Sequence, residues 1–331
     1  MCINRTTLRG QLRWWWRVIH SNFLEPSDLL KLESLVWGLT DTSSPIRIEI
    51  SPLSELRPTM INFKSNEMKY VSFGMWQMKD NQNRYYLPPG TKYDFAIYCQ
   101  ERKDEKGNTI ISKEEIEKQV KFALYLLTTY GGLGAKSRKG FGSVVLTEKL
   151  KIKNNNGQEK EIDEDIIKSE SKKLRESLKN KRLIEKINNY NDWPFISYNI
   201  KAIKANNTLE TLKELSKAYY DFANTRNGYY KSIKYDQNST FYQIHKNIKA
   251  CLGLPRKDDK YLLTQHPSYD QSKRNKATKL RHASPIIFHI NEPNLINISI
   301  FPTKYLINYK VCKDFLEKFT EYLKSEFKKN I

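Results

Sequence analysis

The chain has 331 residues, of which 39% are hydrophobic and 12% aromatic, and this composition excludes a disordered chain. Its 57 Lys and Arg residues outnumber the 37 Asp and Glu residues, and the net charge of +20 favours a polyanionic partner. Codon usage in an AT-rich genome also raises the Lys content, but it does not explain arginines at regular spacing. The length predicts two domains rather than one.

The four cysteines are far apart and form no CxxC pair. Structural zinc needs ligands at short fixed spacings, so we expect neither a metal site nor another cofactor. Scattered thiols fit a reducing cytoplasm. No stretch approaches the about eighteen apolar residues of a membrane span, and the start lacks the apolar core of a signal peptide. The sequence therefore predicts a cytoplasmic protein with no membrane partner.

In chain order, periodic apolar residues predict a first helix over 7–23 and two strands at 46–50 and 93–99. An insertion with aromatic runs, including 70–76, separates the two strands. Ser112 followed by Glu115 forms a capping box that predicts the start of a second helix, which ends at Gly131 and Gly132. A glycine-rich loop then leads into a predicted strand over 143–150.

The second half begins with a charged connector over 151–194, which contains an Asn-Gly turn and an amphipathic helix around 166–184. The elements predicted after it are strands at 195–203, 285–290 and 295–301 and helices at 208–222, 241–251 and 312–327. The order strand, helix, strand, strand, helix indicates an α+β fold with two ferredoxin-like, RRM-like domains, 1–150 and 195–331. The first domain repeats this order without an opening strand.

Arginines recur every four residues at the start of the chain, at Arg5, Arg9, Arg13 and Arg17. On a helix such residues lie one turn apart, so they form a basic stripe that can follow a phosphate backbone. A solvated helix face is the plainer interpretation, and a membrane-surface helix is a third. Of the three consecutive tryptophans after Arg13, Trp14 is farthest from the apolar face, so it is predicted to be the most exposed. There it would stack on a base, although core packing is the commoner role of a tryptophan.

The segment 130–143 places five glycines and three cations in one loop. Glycines allow close backbone approach, and exposed N–H groups in such a loop bind phosphates. The loop satisfies neither the P-loop pattern nor GxGxxG, and it precedes a strand rather than a helix, so a nucleotide-binding enzyme is disfavoured. A tight turn is the plainer interpretation. The residues predicted to meet a phosphate backbone are Gly131, Gly132, Gly134, Lys136, Ser137, Arg138, Lys139, Gly140 and Gly142.

The arginine motif over 8–17 and the glycine-rich basic loop together resemble the CRISPR-associated RAMP superfamily, and in particular its first-subunit family of type III-B (Cmr) effectors. A third matching piece joins Gly253-Leu254-Pro255 with the segment 281–285, which enters an apolar strand. Proteins of this family have an opening strand before the arginine motif. We therefore expect either a truncated reading frame or another segment or subunit in the place of that strand.

The resemblance implies two RAMP domains and a non-catalytic subunit that contacts guide or target RNA near the 3′ part of the CRISPR RNA. Its implied partners are CRISPR RNA, single-stranded target RNA and other Cmr subunits. By position it adds Arg281 and His282 to the RNA-contacting residues named above. A RAMP-type endoribonuclease that processes CRISPR RNA is the rival function, with His20 as the one histidine near the stripe, and a general RNA chaperone is a weaker third. We expect no catalytic residue.

Overall fold

The computed structural model describes residues 3–60, 68, 71, 85–153, 157–188, 195–201, 206–223, 286–301 and 309–328. Contacts between Cα atoms group the chain into two compact units. Unit 1 comprises Met1–Met60, Arg84–Ala135 and Gly142–Pro194, and unit 2 comprises Ile61–Asn83, Lys136–Phe141 and Phe195–Ile331. The connector 151–194 is thus grouped with unit 1, and the middle of the glycine-rich loop with unit 2. The domain bounds at 150 and 194 stay a prediction.

The described residues of unit 1 form four helices, α1 (Arg5–His20), α2 (Pro26–Trp37), α3 (Lys113–Tyr130) and α4 (Glu164–Asn180). Three of them begin at a polar side chain that accepts a backbone N–H of the first turn. Asn4 accepts from Thr7, and Ser112 accepts from Glu115 as the capping box predicts. The apolar face of α1 packs on α3 and buries Leu12 completely.

The described strands of unit 1 are β1 (Ile46–Pro52), β2 (Thr59–Met60), β3 (Tyr85–Tyr86), β4 (Tyr93–Cys99), β5 (Arg102–Lys103), β6 (Thr109–Ile111), β7 (Lys151–Lys153) and β8 (Glu159–Glu161). They pair as four antiparallel two-stranded sheets, β1 with β4, β2 with β3, β5 with β6 and β7 with β8. In the longest pair Ile48 lies opposite Ile97, and Ile48 is buried. Alternation in β1 directs its apolar side chains to the core.

The strand predicted over 143–150 is wrong, because the first strand after the glycine-rich loop is β7. The apolar residues at 144–146 give this segment a high strand propensity. Extended backbone forms a strand only where a neighbouring strand pairs with its N–H and C=O groups. Within the described part of the chain, strand β4 pairs with β1 alone, and residues 144–150 pair with no strand.

The described elements of unit 2 are β9 (Ile196–Lys201), α5 (Thr208–Ala223), β10 (Ile286–Glu292), β11 (Leu295–Ile300) and α6 (Tyr309–Lys328). The three strands form one antiparallel sheet in the order β10-β11-β9. Aromatic rings from the sheet and both helices meet edge-on in its core, with Tyr219 and Phe288 5.7 Å apart and Tyr219 and Phe319 5.3 Å apart between ring centroids. The helix predicted over 241–251 lies outside the described residues.

The α+β class is confirmed by these mixed helices and small sheets. In unit 2 the described elements also occur in the predicted order strand, helix, strand, strand, helix. Among the described residues no helix combines the length and the apolar character that crossing a membrane requires.

Candidate nucleic-acid interface

A buried carboxylate in α2 holds two arginines of α1. Arg13 donates from Nε to Glu33 Oε1 at 2.8 Å, and its Nη2 lies 2.6 Å from the same oxygen. Arg17 donates from Nε to Oε2 and from Nη2 to Oε1, both at 2.7 Å. The Glu33 side chain is 2% exposed, whereas Arg13 and Arg17 are 25% and 46% exposed. We call this group the Glu33 clamp, and it fixes both guanidinium groups at the surface of unit 1.

The Glu33 clamp keeps a net positive charge, because one carboxylate faces two guanidinium groups. Each guanidinium carries five N–H donors in a planar fork. Glu33 takes donors from Nε and Nη2, and Nη1 of Arg13 and of Arg17 donates to no group within the described ranges. The Nη1 group of each arginine therefore remains for a ligand, on the side of the guanidinium away from Glu33. Such donors suit phosphate oxygens, which bind guanidinium groups through parallel hydrogen bonds.

Arg9 is held inside the fold rather than in the clamp. It donates from Nη1 to the Ile46 carbonyl at 3.1 Å and from Nη2 to the Trp37 carbonyl at 2.5 Å. Trp37 ends α2, where carbonyls lack helical partners, and Arg102 donates to the nearby Leu35 carbonyl at 3.0 Å. Burial, followed by the charge of Arg13, lowers the pKa of Arg9. The predicted stripe is thus divided, with Arg9 at the end of α2.

Arg5 and the three tryptophans of α1 differ in exposure. Arg5 is exposed at the first position of α1. Trp15 and Trp16 are buried, whereas Trp14 is half-buried and meets Trp15 edge-on with 4.8 Å between ring centroids. The prediction that Trp14 is the most exposed of the three tryptophans is confirmed, and base stacking on its ring stays a prediction.

His20 is completely buried between α1, α3 and α4. Arg175 Nη1 lies 3.1 Å from His20 Nδ1, and because arginine only donates, Nδ1 accepts and the proton resides on Nε2. Nε2 then donates to Gln119 Oε1 at 3.0 Å, and Trp16 donates to the same oxygen at 3.1 Å. Burial first, and Arg175 second, lower the pKa of His20 to about 3. A neutral imidazole without solvent contact supports a structural role for His20.

The fold itself requires three glycines of the loop. A Cβ on Gly131 would overlap Nε1 of Trp15, so the helix α3 ends in direct contact with α1. Gly142 has φ +65°, a Cβ there would overlap the Leu133 carbonyl oxygen, and its own carbonyl accepts from Leu133 N at 2.8 Å. Gly140 has φ +83° and packs against the side chain of Leu212. Packing therefore explains these glycines, whether or not a phosphate binds beside them.

Two further loop glycines differ from those three. Gly134 has φ +88° and faces open space, while Gly132 is buried. The loop is exposed over the three consecutive residues 134–136, where Lys136 adopts φ +62°. A left-handed backbone conformation is strained at a non-glycine residue, and such strain is common at functional sites.

The other polar and cationic side chains of the loop are partly buried. Lys139 donates from Nζ to Tyr219 Oη at 2.8 Å and lies 4.2 Å from the centroid of the same ring. The Arg138 carbonyl accepts from Phe288 N at 3.2 Å, so the loop runs beside β10, and burial lowers the pKa of Arg138. Ser137 is also partly buried. Contact of these residues with RNA stays a prediction, and the structure shows that Lys139 already binds an aromatic ring of unit 2.

The sequence analysis missed α2 and with it Glu33, which organises the site. Pro26 at the first turn and Gly38 after the last residue mark the ends of this helix, and Leu32 and Val36 supply its buried face. Those boundary signals were sufficient to predict the helix. The pairing of Glu33 with α1 needs the tertiary fold.

Some predicted residues lie outside the described ranges, namely Arg281, His282 and the segment Gly253-Leu254-Pro255. His245 and His266 lie outside them too. In the ranges that are described, no group of three His, Cys, Asp or Glu side chains is arranged to hold a metal ion.

Comparisons with known proteins agree with the resemblance. The family model of the RAMP superfamily matches residues 1–145. The CRISPR system Cmr subunit Cmr1-1 of Pyrococcus furiosus is 25% identical over 146 residues, which are 43% of this chain and 40% of that protein. The alignment thus spans less than half the length of the curated relative.

Two solved structures share the fold over nearly the whole chain. The crystal structure of Cmr1 from Pyrococcus furiosus in its apo form has a TM-score of 0.50 at 18% identity and covers 96% of this chain and 87% of that one. A chain of the type III-B Cmr-beta complex, solved bound to cognate target RNA and AMPPnP in the presence of ssDNA, has a TM-score of 0.53 at 14% identity. That alignment covers 97% of this chain and 93% of the other.

Proposed function

We propose that this chain, whose residues 1–145 match the family model of the RAMP superfamily, is a non-catalytic, RNA-binding subunit of a type III-B (Cmr) CRISPR effector. Its partners are CRISPR RNA, single-stranded target RNA and other Cmr subunits in the cytoplasm. The similarity to a Cmr1 subunit and to a chain of an RNA-bound Cmr-beta complex supports this assignment. In this proposal the chain binds guide or target RNA near the 3′ end of the guide.

The observation that carries the proposal is the Glu33 clamp. Its carboxylate orients Arg13 and Arg17 on α1 through their Nε and Nη2 atoms and leaves Nη1 of both without a hydrogen bond in the described ranges. Helix α1 contains no acidic residue, and the chain as a whole carries a net charge of +20. A fixed pair of guanidinium edges in a positive field binds phosphate groups irrespective of base sequence.

The non-catalytic part of the proposal rests on the described histidines. A metal-independent processing endoribonuclease needs a titratable group at the RNA backbone. His20 and His289 are both completely buried, and His20 stays neutral at physiological pH because its pKa is lowered to about 3. Neither histidine reaches solvent, where a substrate would lie.

The test compares matched arginine variants in retention assays with labelled single-stranded RNA and repeat-containing RNA. Arg5→Gln and Arg17→Gln remove one charge each from the α1 face. Arg57→Gln, at a side chain that is 86% exposed after β1, removes the same charge elsewhere. Each lost phosphate contact should flatten the slope of log affinity against log salt by about 0.7 for a single strand. Circular dichroism checks that the variants remain folded.

Weaker binding by the α1 variants, with Arg57→Gln near the parent, supports the proposal. Equal weakening by all three would show that only the overall charge matters, and unchanged binding by the α1 variants would overturn it. The same gels report cleavage. Metal-independent cutting at one position of the repeat would make the chain a processing nuclease and contradict the non-catalytic assignment.

A further inference from the structure

Gly10 occupies a position where the fold itself gives no reason for glycine. It lies within α1 (Arg5–His20) and is exposed, and its φ is that of an ordinary helix. A Cβ built on Gly10 meets no heavy atom within 4 Å, in contrast to Gly131 and Gly142, where a Cβ would overlap neighbouring atoms. Glycine is the least favourable helix residue after proline. Its presence here therefore weakens α1 without relieving any contact.

The bare backbone at Gly10 lies on the same face of α1 as the Glu33 clamp. Residues three, four and seven positions along a helix share a face, and for Gly10 these are Arg13, Trp14 and Arg17. Trp14 is half-buried and edge-on to Trp15, so its ring has a defined orientation beside this face. A flat, uncovered turn of helix is thus bordered by an oriented ring and two oriented cations.

The charge of this face determines the ligand class. Arg13 and Arg17 are bound to Glu33 through Nε and Nη2, which leaves their Nη1 donors for an anion. The sequence of α1 contains four arginines and no acidic residue. A polyanion with a narrow backbone fits this surface, and single-stranded RNA has that property together with bases that stack on aromatic rings.

We propose that Gly10 is a close-approach site, at which the sugar-phosphate backbone of single-stranded RNA lies directly on α1 between Trp14 and Arg17. The proposal rests on the RNA-binding function proposed above and adds a residue to it. Glycine is retained because any side chain would hold the strand away from the guanidinium donors. The lower helix stability is the consequence of that function.

The variant Gly10→Ala tests this, because a structural role and a binding role predict opposite results. Alanine is the best helix former, so Gly10→Ala should raise the melting temperature while it weakens the binding of a labelled oligouridine RNA about tenfold, or about 1.4 kcal/mol. The matched control is Ser177→Ala, at an exposed position of α4. It improves helix propensity in the same way but adds nothing to the α1 face, so its affinity should equal that of the parent.

Each outcome is decisive. A higher melting temperature of Gly10→Ala with unchanged affinity overturns the close-approach site, and so does a lower melting temperature, which would show that the fold requires glycine. If the parent chain binds no single-stranded RNA, the proposed function fails and this inference with it. If the parent binds and only Gly10→Ala is impaired, both are supported.

Discussion

Arg17 and Glu33 form a two-bond pair in which Nε and Nη2 of the arginine donate to separate carboxylate oxygens at 2.7 Å. Glu33 is buried while Arg17 is half exposed, so the pair joins the interior of unit 1 to its surface. Arg13 binds the same carboxylate. The pair therefore supports the packing of α2 on α1 and also presents cations to solvent.

We expect Glu33→Gln to lower the free energy of unfolding by about 2–3 kcal/mol, because both guanidinium groups would lose their counter-charge in a partly buried position. Chemical denaturation of the full chain measures this change. Glu185→Gln is the control, since Glu185 pairs with Lys31 while 81% exposed, and it should behave like the parent. Equal stability of Glu33→Gln and the parent would mean that the clamp does not support the fold.

His20 predicts a loss of stability in mild acid. Its folded pKa is lowered to about 3 from 6.5, so below pH 6.5 the unfolded chain binds a proton that the folded chain does not. Stability is full above that pH and decreases as the pH falls towards 3. Between pH 7 and pH 5 the loss from this one group should be about 2 kcal/mol.

The variant His20→Gln separates this effect from other groups, because glutamine retains one donor and one acceptor and does not titrate. Burial raises the pKa of nearby Glu115, and that shift acts in the opposite direction as the pH falls. Because His20→Gln lacks the titrating imidazole, it should lose less unfolding free energy than the parent as the pH falls from 7 to 5. An identical pH dependence in both would show that folding does not lower the pKa of His20.

Local patterns predicted most of the regular elements. Apolar residues at three- and four-residue steps predicted α1, the Ser112 cap predicted the start of α3, and alternation predicted β4 with its observed bounds, Tyr93–Cys99. These signals are contained within one segment and depend on its own periodicity. The segment over 144–150 has similar local signals but forms no strand, because a strand depends on a partner.

The candidate site was predicted only in part, for the same reason. The spacing of the arginines predicted that they share one side of α1, but the structure divides them between the Ile46 carbonyl and Glu33. Glu33 lies 20 residues from Arg13 and 16 from Arg17, so no helical spacing connects them. Such long-range pairing decides which cation the fold uses and which cation remains for a ligand.

Gly142 and Gly157 offer a matched pair of left-handed glycines, with φ of +65° and +76°. A Cβ on Gly157 would face open space, so the only cost of Gly157→Ala is backbone strain. That strain should lower the free energy of unfolding by about 1–2 kcal/mol. On Gly142 the Cβ would also overlap the Leu133 carbonyl. Gly142→Ala should therefore lower the free energy of unfolding by about 3 kcal/mol or more. Thermal or denaturant unfolding of both variants measures the difference, and equal losses would contradict the close packing at the base of the loop.

Lys139 and Lys136 lie three residues apart in the loop but differ in surroundings. Lys139 donates to Tyr219 Oη and lies over the Tyr219 ring, whereas Lys136 is exposed. We expect Lys139→Met to lower the free energy of unfolding by about 1–2 kcal/mol, because the hydrogen bond and the cation–π contact are both lost. Lys136→Met should remain near the parent in stability.

RNA affinity should change in the reverse order. Lys136 is exposed whereas Lys139 is half-buried, so Lys136 is the more accessible to a phosphate, and Lys136→Met should weaken binding more than Lys139→Met does. Tyr219→Phe separates the two contacts of Lys139, because it removes the hydroxyl acceptor and keeps the ring beneath Lys139. If Lys139→Met weakens RNA binding more than Lys136→Met while stability is unchanged, Lys139 must leave the Tyr219 ring to contact RNA. The loop would then rearrange when the ligand binds, and the ring contact would describe its unbound state.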